Sequence, residues 1–342
     1  MNIPSYTLPT ANRRVLLTSR PTGIPAAGDF AIDTAAVPAA GPGQMLVRNL
    51  YLSVDPAQRG WAQVSVNYSE PVPLGTPMRA LAVGVVIDSN TPDYRVGEFL
   101  YGFFGWQDYC VAEPTSVIAT VDPELAPISA GAGLFGINGL TAYLALTQAG
   151  RPEAGETLLV STAAGAVGSL VGQIGRILGC RTIGITGSAE KVARCTDRFG
   201  YSAAISYHED DLRGAIAAAA PDGVDVYFDN TGGAILDAAI QNLRARGRIV
   251  QCGTASIATW SPAPVGPRPE RDILTRELSW QGFVIFNHRE RFSAAARQLG
   301  AWLRDGLLVY DEDISDDFTA LPGSIADVYL GRNTGKRLVY VG

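Results

Sequence analysis

The spacing of hydrophobic positions changes once along the chain. Up to about residue 125, apolar residues come in short β-type runs at 14–18, 45–54, 82–88, 99–104, 109–112 and 117–121, broken by stretches rich in Pro and Gly. From residue 156 onward, apolar runs near 158–161, 182–186, 203–206, 224–228, 248–252 and 279–285 alternate with stretches of helical period. Six strands separated by helices predict an α/β fold with a doubly wound parallel sheet, and the first part predicts a smaller β-barrel-like domain. The tail from about residue 311 ends in a strand-like run at 337–341 and is expected to return to the first domain. The domains are therefore expected at 1–130 with 311–342, and at 131–310. The Pro-rich stretch 262–269 reads as a surface or lid segment.

Composition narrows the class. With 342 residues, 47% of them hydrophobic and 18% charged, the chain can build about two globular cores. The net charge of −6 argues against a nucleic-acid surface; Lys191 and Lys336 are the only lysines, and the arginines are scattered. The first ten residues carry no basic start followed by an apolar run, and no apolar stretch approaches a membrane span, so a cytoplasmic protein with no membrane partner is expected. Cys110, Cys180, Cys195 and Cys252 form no C-x-x-C pair and read as small apolar residues rather than a disulfide framework.

The most informative segment is Thr157 to Ser169, an apolar strand that runs into a small-residue turn opening a helix. Ala163, Gly165 and Gly168 overlay the G-x-G-x-x-G dinucleotide fingerprint with alanine first. Amides at the helix start would face the pyrophosphate. Val167, Leu170, Val171, Ile174, Ile177 and Leu178 follow at helical spacing, Gly179 stops the helix, and 182–186 supplies the next strand. A Rossmann sheet binding a nicotinamide nucleotide is the reading. An NAD site usually has a carboxylate at the end of the second strand; here that strand ends Thr186-Gly187-Ser188, with Lys191 one turn later and Arg194 beyond. Ser188 can cap the following helix and donate to a phosphate, while Glu190 reads as a first-turn helix acid facing solvent. The expected cofactor is NADP, bound as NADPH.

The stretch from Ser161 to Tyr207, with Ala-Ala-Gly-Ala-Val-Gly-Ser, Gly-Ser-Ala-Glu-Lys and Ile205-Ser206-Tyr207, closely resembles the zinc-independent medium-chain dehydrogenase/reductase family of leukotriene 12-hydroxydehydrogenase/prostaglandin reductases and alkenal double-bond reductases. Further matches extend the likeness over nearly the whole chain: Leu52-Ser53-Val54-Asp55-Pro56, Gly75-Thr76-Pro77-Met78-Arg79, Gly139-Leu140-Thr141-Ala142-Tyr143, Phe228-Asp229-Asn230-Thr231-Gly232-Gly233 and Asn333-Thr334-Gly335-Lys336. The resemblance implies a GroES-like substrate domain beside the Rossmann domain. It implies that Gly165, Ala166, Val167 and Gly168 hold the pyrophosphate, and that Lys191 and Tyr207, with Ser188 beside them, hold the 2′-phosphate. It further implies that Asn230, the loop from Cys252 and Gly253 through Ser256 to Ala258, Phe283, Val284, Ile285 and Asn333 surround the ribose and nicotinamide. Each has a plainer reading: Lys191 as a solvated helix lysine, Tyr207 as a half-buried core phenol, Asn230 as a turn former. Trp106, Phe135 and Phe286 read as core aromatics.

No metal is expected. Ser53, Val54 and Asp55 occupy the stretch where a zinc alcohol dehydrogenase has its first ligand, Arg79-Ala80-Leu81 replaces its His-Glu region, and His208 and His288 come too late in the chain. Without a Lewis acid, the natural reaction is hydride transfer to the β-carbon of an α,β-unsaturated ketone or aldehyde, with the developing enolate oxygen held by donors fixed in advance. In the resembled family a tyrosine in the loop after Cys-Gly lies near that oxygen. Here that position is Ala258, so Tyr68 is the first candidate donor, with Ser256 and Thr259 as alternatives. Ala57-Gln58 stands where Tyr-Met is common and argues for a different substrate pocket. Quinone reduction by the same hydride route and a non-catalytic NADPH-binding relative are the alternatives. A homodimer is expected from the resemblance and from the apolar run 279–285, which could extend a sheet across a two-fold axis.

Overall fold

The computed structural model describes residues 2–64, 69–257, 260 and 262–342. Two compact units divide the chain, one formed by 1–136 with 312–342 and the other by 137–311.

In the first unit the chain forms β1 (Ala11–Leu17), β2 (Phe30–Ala36), β3 (Met45–Ser53), β4 (Leu81–Ser89), β5 (Phe99–Phe103), β6 (Tyr109–Ala112) and β7 (Val117–Thr120). β3, β4, β5 and β7 are antiparallel neighbours, and β6 pairs with β3. β3 is buried at every position but Tyr51, with the polar Arg48 and Asn49 buried among its apolar residues. Trp106 is fully buried and its indole donates to the Ser53 carbonyl at 3.0 Å. β2, which the hydrophobic pattern leaves unmarked, is held by antiparallel pairing along all of β1. Phe30 alone is buried in it, so it carries almost no core signal.

The second unit holds β8 (Thr157–Ser161), β9 (Arg181–Thr186), β10 (Ala203–Ser206), β11 (Val224–Asp229), β12 (Leu243–Gln251) and β13 (Ser279–Gly282), all parallel in the order β10-β9-β8-β11-β12-β13. Helices at Gly168–Ile177, Ala189–Asp197, Leu212–Ala219 and Gly233–Asn242 connect successive strands. One core cluster includes Leu159, Ile183, Ile185, Tyr227, Ile240 and Ile249. Strand order reverses between β8 and β11, and in such sheets the crevice at the carboxyl ends of the strands beside that reversal is where nucleotides bind. The run expected as a strand over 279–285 stops at Gly282. Phe283 makes one more ladder bond, to the Gln251 carbonyl at 3.0 Å, and the backbone then coils at Ile285–Arg291. Phe283 and Ile285 are apolar because they are buried, not because they are strand.

The chain re-enters the first unit with β14 (Glu312–Ser315) and β15 (Lys336–Tyr340), joined by a helix at Leu321–Tyr329. β15 pairs antiparallel with β3 and parallel with β14. Lys336 anchors this return: its ammonium, 4% exposed, donates to Asp55 Oδ1 at 2.5 Å and to the Val54 carbonyl at 3.0 Å. Residues 131–136 stay with the first unit because Gly131 packs on Val121 and Val83, and Gly136 on Tyr101. Asp311 stays with the second because Arg194 and Arg198 both bind its carboxylate. Among the described residues, no helix is long and apolar enough to cross a membrane.

Candidate cofactor site

The turn after β8 is compact for a reason visible atom by atom. Thr162 takes a left-handed φ of 53°, and its carbonyl accepts from the Gly165 amide at 2.9 Å. A β-carbon on Gly168 would come within 2.2 Å of that carbonyl oxygen, and one on Gly165 within 3.1 Å. Only glycine lets the helix begin this close to the strand end. The helix starts at Gly168, so the positive end of its dipole lies at the carboxyl end of β8, while the Ser169 and Leu170 amides are turned inward to the Gly165 and Val167 carbonyls at 3.0 and 3.1 Å. Tyr201 braces it from behind, donating its hydroxyl to the Gly168 carbonyl at 2.6 Å, and burial pushes that phenol well above its ordinary pKa. The cradle a β-carbon would fill, the positive end of the helix and the strand reversal together fit a dinucleotide pyrophosphate.

Gly187 and Ser188 follow β9, and Tyr207 follows β10. Ser188 is the N-cap of the helix at Ala189–Asp197, its hydroxyl accepting from the Lys191 amide at 3.2 Å. That capping bond places the Lys191 side chain in the first turn, on the same end of the sheet. The Tyr207 phenol lies over Gly187, where a β-carbon would come within 2.6 Å of its hydroxyl oxygen. Tyr207 is 43% exposed and its ring lies 4.3 Å from that of His208, so it is a surface phenol at the strand end rather than a core one. Arg194 does not add to this group, because its guanidinium is paired with Asp311. A small, capped helix start that carries Lys191, with no carboxylate at the end of β9 itself and Glu190 in the first helical turn, has the donors a 2′-phosphate requires.

At the carboxyl ends of β11 and β12 the remaining residues are stitched together around a carboxylate that sequence reasoning did not single out. Asp229 is fully buried and accepts from Ser161 Oγ at 3.2 Å, Tyr227 Oη at 2.9 Å, the Thr231 amide at 2.8 Å and the Gly232 amide at 2.9 Å. Asn230 is tied to β8, its amide donating to Ser161 Oγ at 2.8 Å and its side chain to the Ser161 carbonyl at 2.7 Å. The Cys252 and Gly253 amides donate to the Asp229 carbonyl at 2.8 and 3.1 Å. Burial, reinforced by Asp229, pushes the Cys252 thiol up to about 12, so it is neutral at ordinary pH. Ser256 donates its hydroxyl to the Thr231 carbonyl at 2.8 Å, which commits that proton to holding the loop.

The other expected residues are spread further. Phe283 is buried, stacked on His288 at 4.5 Å with planes 5° apart, which gives that histidine a packing role. Val284 is half-buried and Ile285 buried just beyond β13. Asn333 belongs to the first unit, where its amide donates to the Gly335 carbonyl at 2.7 Å. Tyr68, Ala258 and Thr259 lie outside the described residues. All four cysteines are free, Cys180 and Cys195 buried and Cys110 and Cys252 half-buried. Among the described residues no group of three or more His, Cys, Asp or Glu side chains is arranged to hold a metal ion.

Comparison with known proteins places this geometry. Residues 13–120 match the family described as the N-terminal domain of oxidoreductase, and residues 166–301 the family described as zinc-binding dehydrogenase. The chain is 36% identical over 337 residues to the NADPH-dependent curcumin reductase of Escherichia coli, covering 96% of this chain and 97% of that protein. It is 33% identical over 336 residues to the 2-alkenal reductase (NADP(+)-dependent) of Nicotiana tabacum, covering 97% of this chain and 98% of that protein. Among solved structures, CurA from Vibrio vulnificus in complex with NADPH superimposes with a TM-score of 0.91 at 35% identity, covering 96% of this chain and 99% of that one.

Proposed function

The chain belongs to the zinc-independent medium-chain dehydrogenase/reductase family, and from that premise we propose that it is an NADPH-dependent reductase of the carbon–carbon double bond of α,β-unsaturated ketones and aldehydes. The observation that carries the cofactor half of this reading is the group formed by Gly187, Ser188, Lys191 and Tyr207 beside the Gly165–Gly168 turn. The substrate half is supported by the relatives named for reducing curcumin and 2-alkenals.

The bound dinucleotide supplies a hydride for the β-carbon. The chain supplies the rest. Gly165, Ala166, Val167 and Gly168 receive the pyrophosphate at the helix start, and Ser188, Lys191 and Tyr207 receive the 2′-phosphate. Asn230, Cys252, Gly253, Ser256, Phe283, Val284 and Ile285 form the wall for the ribose and nicotinamide. Asp229 braces that wall through the Thr231 and Gly232 amides, so the loop does not reorganise when charge moves next to it. Ser256 has its proton engaged, so Tyr68 is our first candidate donor to the developing enolate oxygen, with Thr259 as the alternative.

We also infer a cytoplasmic homodimer. Four unpaired thiols suit a reducing compartment. β13 is the last strand of its sheet and all four of its residues are exposed, an edge open to pairing with a second copy. The functional test is loss of NADPH absorbance on addition of simple enones, enals and quinones. Turnover of enones and enals is the expected result, preferential turnover of quinones would move the assignment to quinone reduction, and no turnover with any of them would refute the reductase reading.

A further inference from the structure

A chain of side-chain hydrogen bonds crosses the carboxyl ends of β8, β11, β12 and β13, and Gln251 is its central link. Its Nε2 donates to Asp229 Oδ2 at 2.8 Å and to the Gly253 carbonyl at 2.6 Å, while its Oε1 accepts from the Trp280 indole at 3.0 Å. Both amide protons and the amide oxygen are therefore in use. Reversing the amide would set its oxygen against a carboxylate and a carbonyl and its protons against an indole N–H, so one orientation is chemically allowed. Beyond Gln251, Asp229 holds Ser161 at the end of β8 and the amides of Thr231 and Gly232. Gly253 packs directly on Asn230, where a β-carbon would come within 2.6 Å of the Asn230 carbonyl oxygen, so displacing one loop displaces the other.

We propose that Gln251 is a positioning residue for the cofactor wall, joining the loop from Cys252 to Ile257 to the Asp229-braced turn and held in its working orientation by the Trp280 indole. The proposal rests on reading those loops as the ribose and nicotinamide wall. Trp280 is 42% exposed on the edge strand, so the last hydrogen bond of the chain lies at the sheet margin. Gln251 acts on a part of the dinucleotide common to NADPH and NADH, whereas Lys191 acts on the 2′-phosphate alone. That difference makes the two roles separable.

The test uses the full chain and dissociation constants for both NADPH and NADH from fluorescence titration of Gln251→Leu, Trp280→Phe, Gln251→Glu and, as a reference, Lys191→Ala. Gln251→Leu is expected to weaken both nucleotides by about 10-fold without changing their ratio, as loss of hydrogen bonds to a buried carboxylate and a carbonyl implies. Trp280→Phe keeps the ring and is expected to weaken both by roughly two- to threefold. Gln251→Glu sets two carboxylates side by side; sharing one proton, they reproduce the bond at low pH and repel at high pH. NADH affinity of that variant is therefore expected to fall as the pH is raised, more steeply than that of the parent protein; NADH is used here because it has no 2′-phosphate to titrate. Unchanged affinities in folded Gln251→Leu and Trp280→Phe, or a flat profile for Gln251→Glu, would overturn the proposal. If the parent protein binds neither nucleotide, the cofactor reading itself falls and the proposal with it.

Discussion

The phenol of Tyr207 occupies the space that a side chain on Gly187 would need: a β-carbon there would come within 2.6 Å of the hydroxyl oxygen and 2.9 Å of Cζ. Gly187→Ala must therefore push the ring away from the end of β9, while the Ser188 cap and the strand remain. If the ring borders the 2′-phosphate, NADPH affinity drops by about 10-fold and NADH affinity changes little, the loss corresponding to one hydrogen bond to a charged group. Titration of both nucleotides checks this; equal losses would place Tyr207 elsewhere.

Lys191→Ala removes one charge from the same group. A charge-assisted phosphate contact contributes about 1.5 to 3 kcal/mol, so the NADPH dissociation constant is expected to rise roughly 10- to 150-fold with NADH unaffected. Because Arg194 is held by Asp311, it is not expected to substitute for the lost cation. Raising the salt concentration should weaken NADPH binding to the parent more than to the variant.

Much of this was legible in the sequence, and the exceptions share a physical cause. The central strands β8, β9 and β11 announce themselves because they are buried on both faces, β8 at all five positions. The glycines of the turn are legible because their absence of side chains is a steric requirement at fixed spacing. β2 was not legible, since a strand with one buried residue has no period to read. Nor was the end of β13, because Phe283 and Ile285 are buried residues of the following coil. The pairing of Arg194 with Asp311 and the contacts of Gln251 with Asp229 and Trp280 join residues far apart in the chain. Asp229 stood inside a recognisable motif, yet only folding shows that it carries the hydrogen bonds of two loops.

Tyr68→Phe tests the proposed proton-donor role without altering ring packing. Loss of a donor used in the transition state is expected to lower kcat and kcat/KM together by ~10- to 1,000-fold, with NADPH affinity retained. A variant with near-normal kcat on its best enone would remove Tyr68 from the catalytic list and leave the cofactor's ribose hydroxyl as the stabilising group.

Lys336→Met addresses stability in the first unit. The methionine would leave the Asp55 carboxylate buried without its cation, with Ser53 Oγ still donating to it. Breaking a buried pair from one side typically costs about 3 to 5 kcal/mol, so a markedly lower thermal midpoint is expected. Asp55→Asn together with Lys336→Met should recover part of the loss, since neither charge then remains buried. A single variant as stable as the parent would show that the pair does not anchor β15.

The most direct measurement of the central claim is the position of the label after reaction of an acyclic enone with NADPH carrying deuterium at C4 of the nicotinamide. One of the two C4 labels must transfer, and the product should be the saturated ketone with deuterium on the β-carbon and a solvent hydrogen on the α-carbon, read by mass and proton NMR. Deuterium on the carbonyl carbon, giving an allylic alcohol, would contradict double-bond reduction, as would consumption of NADPH with no label in the product.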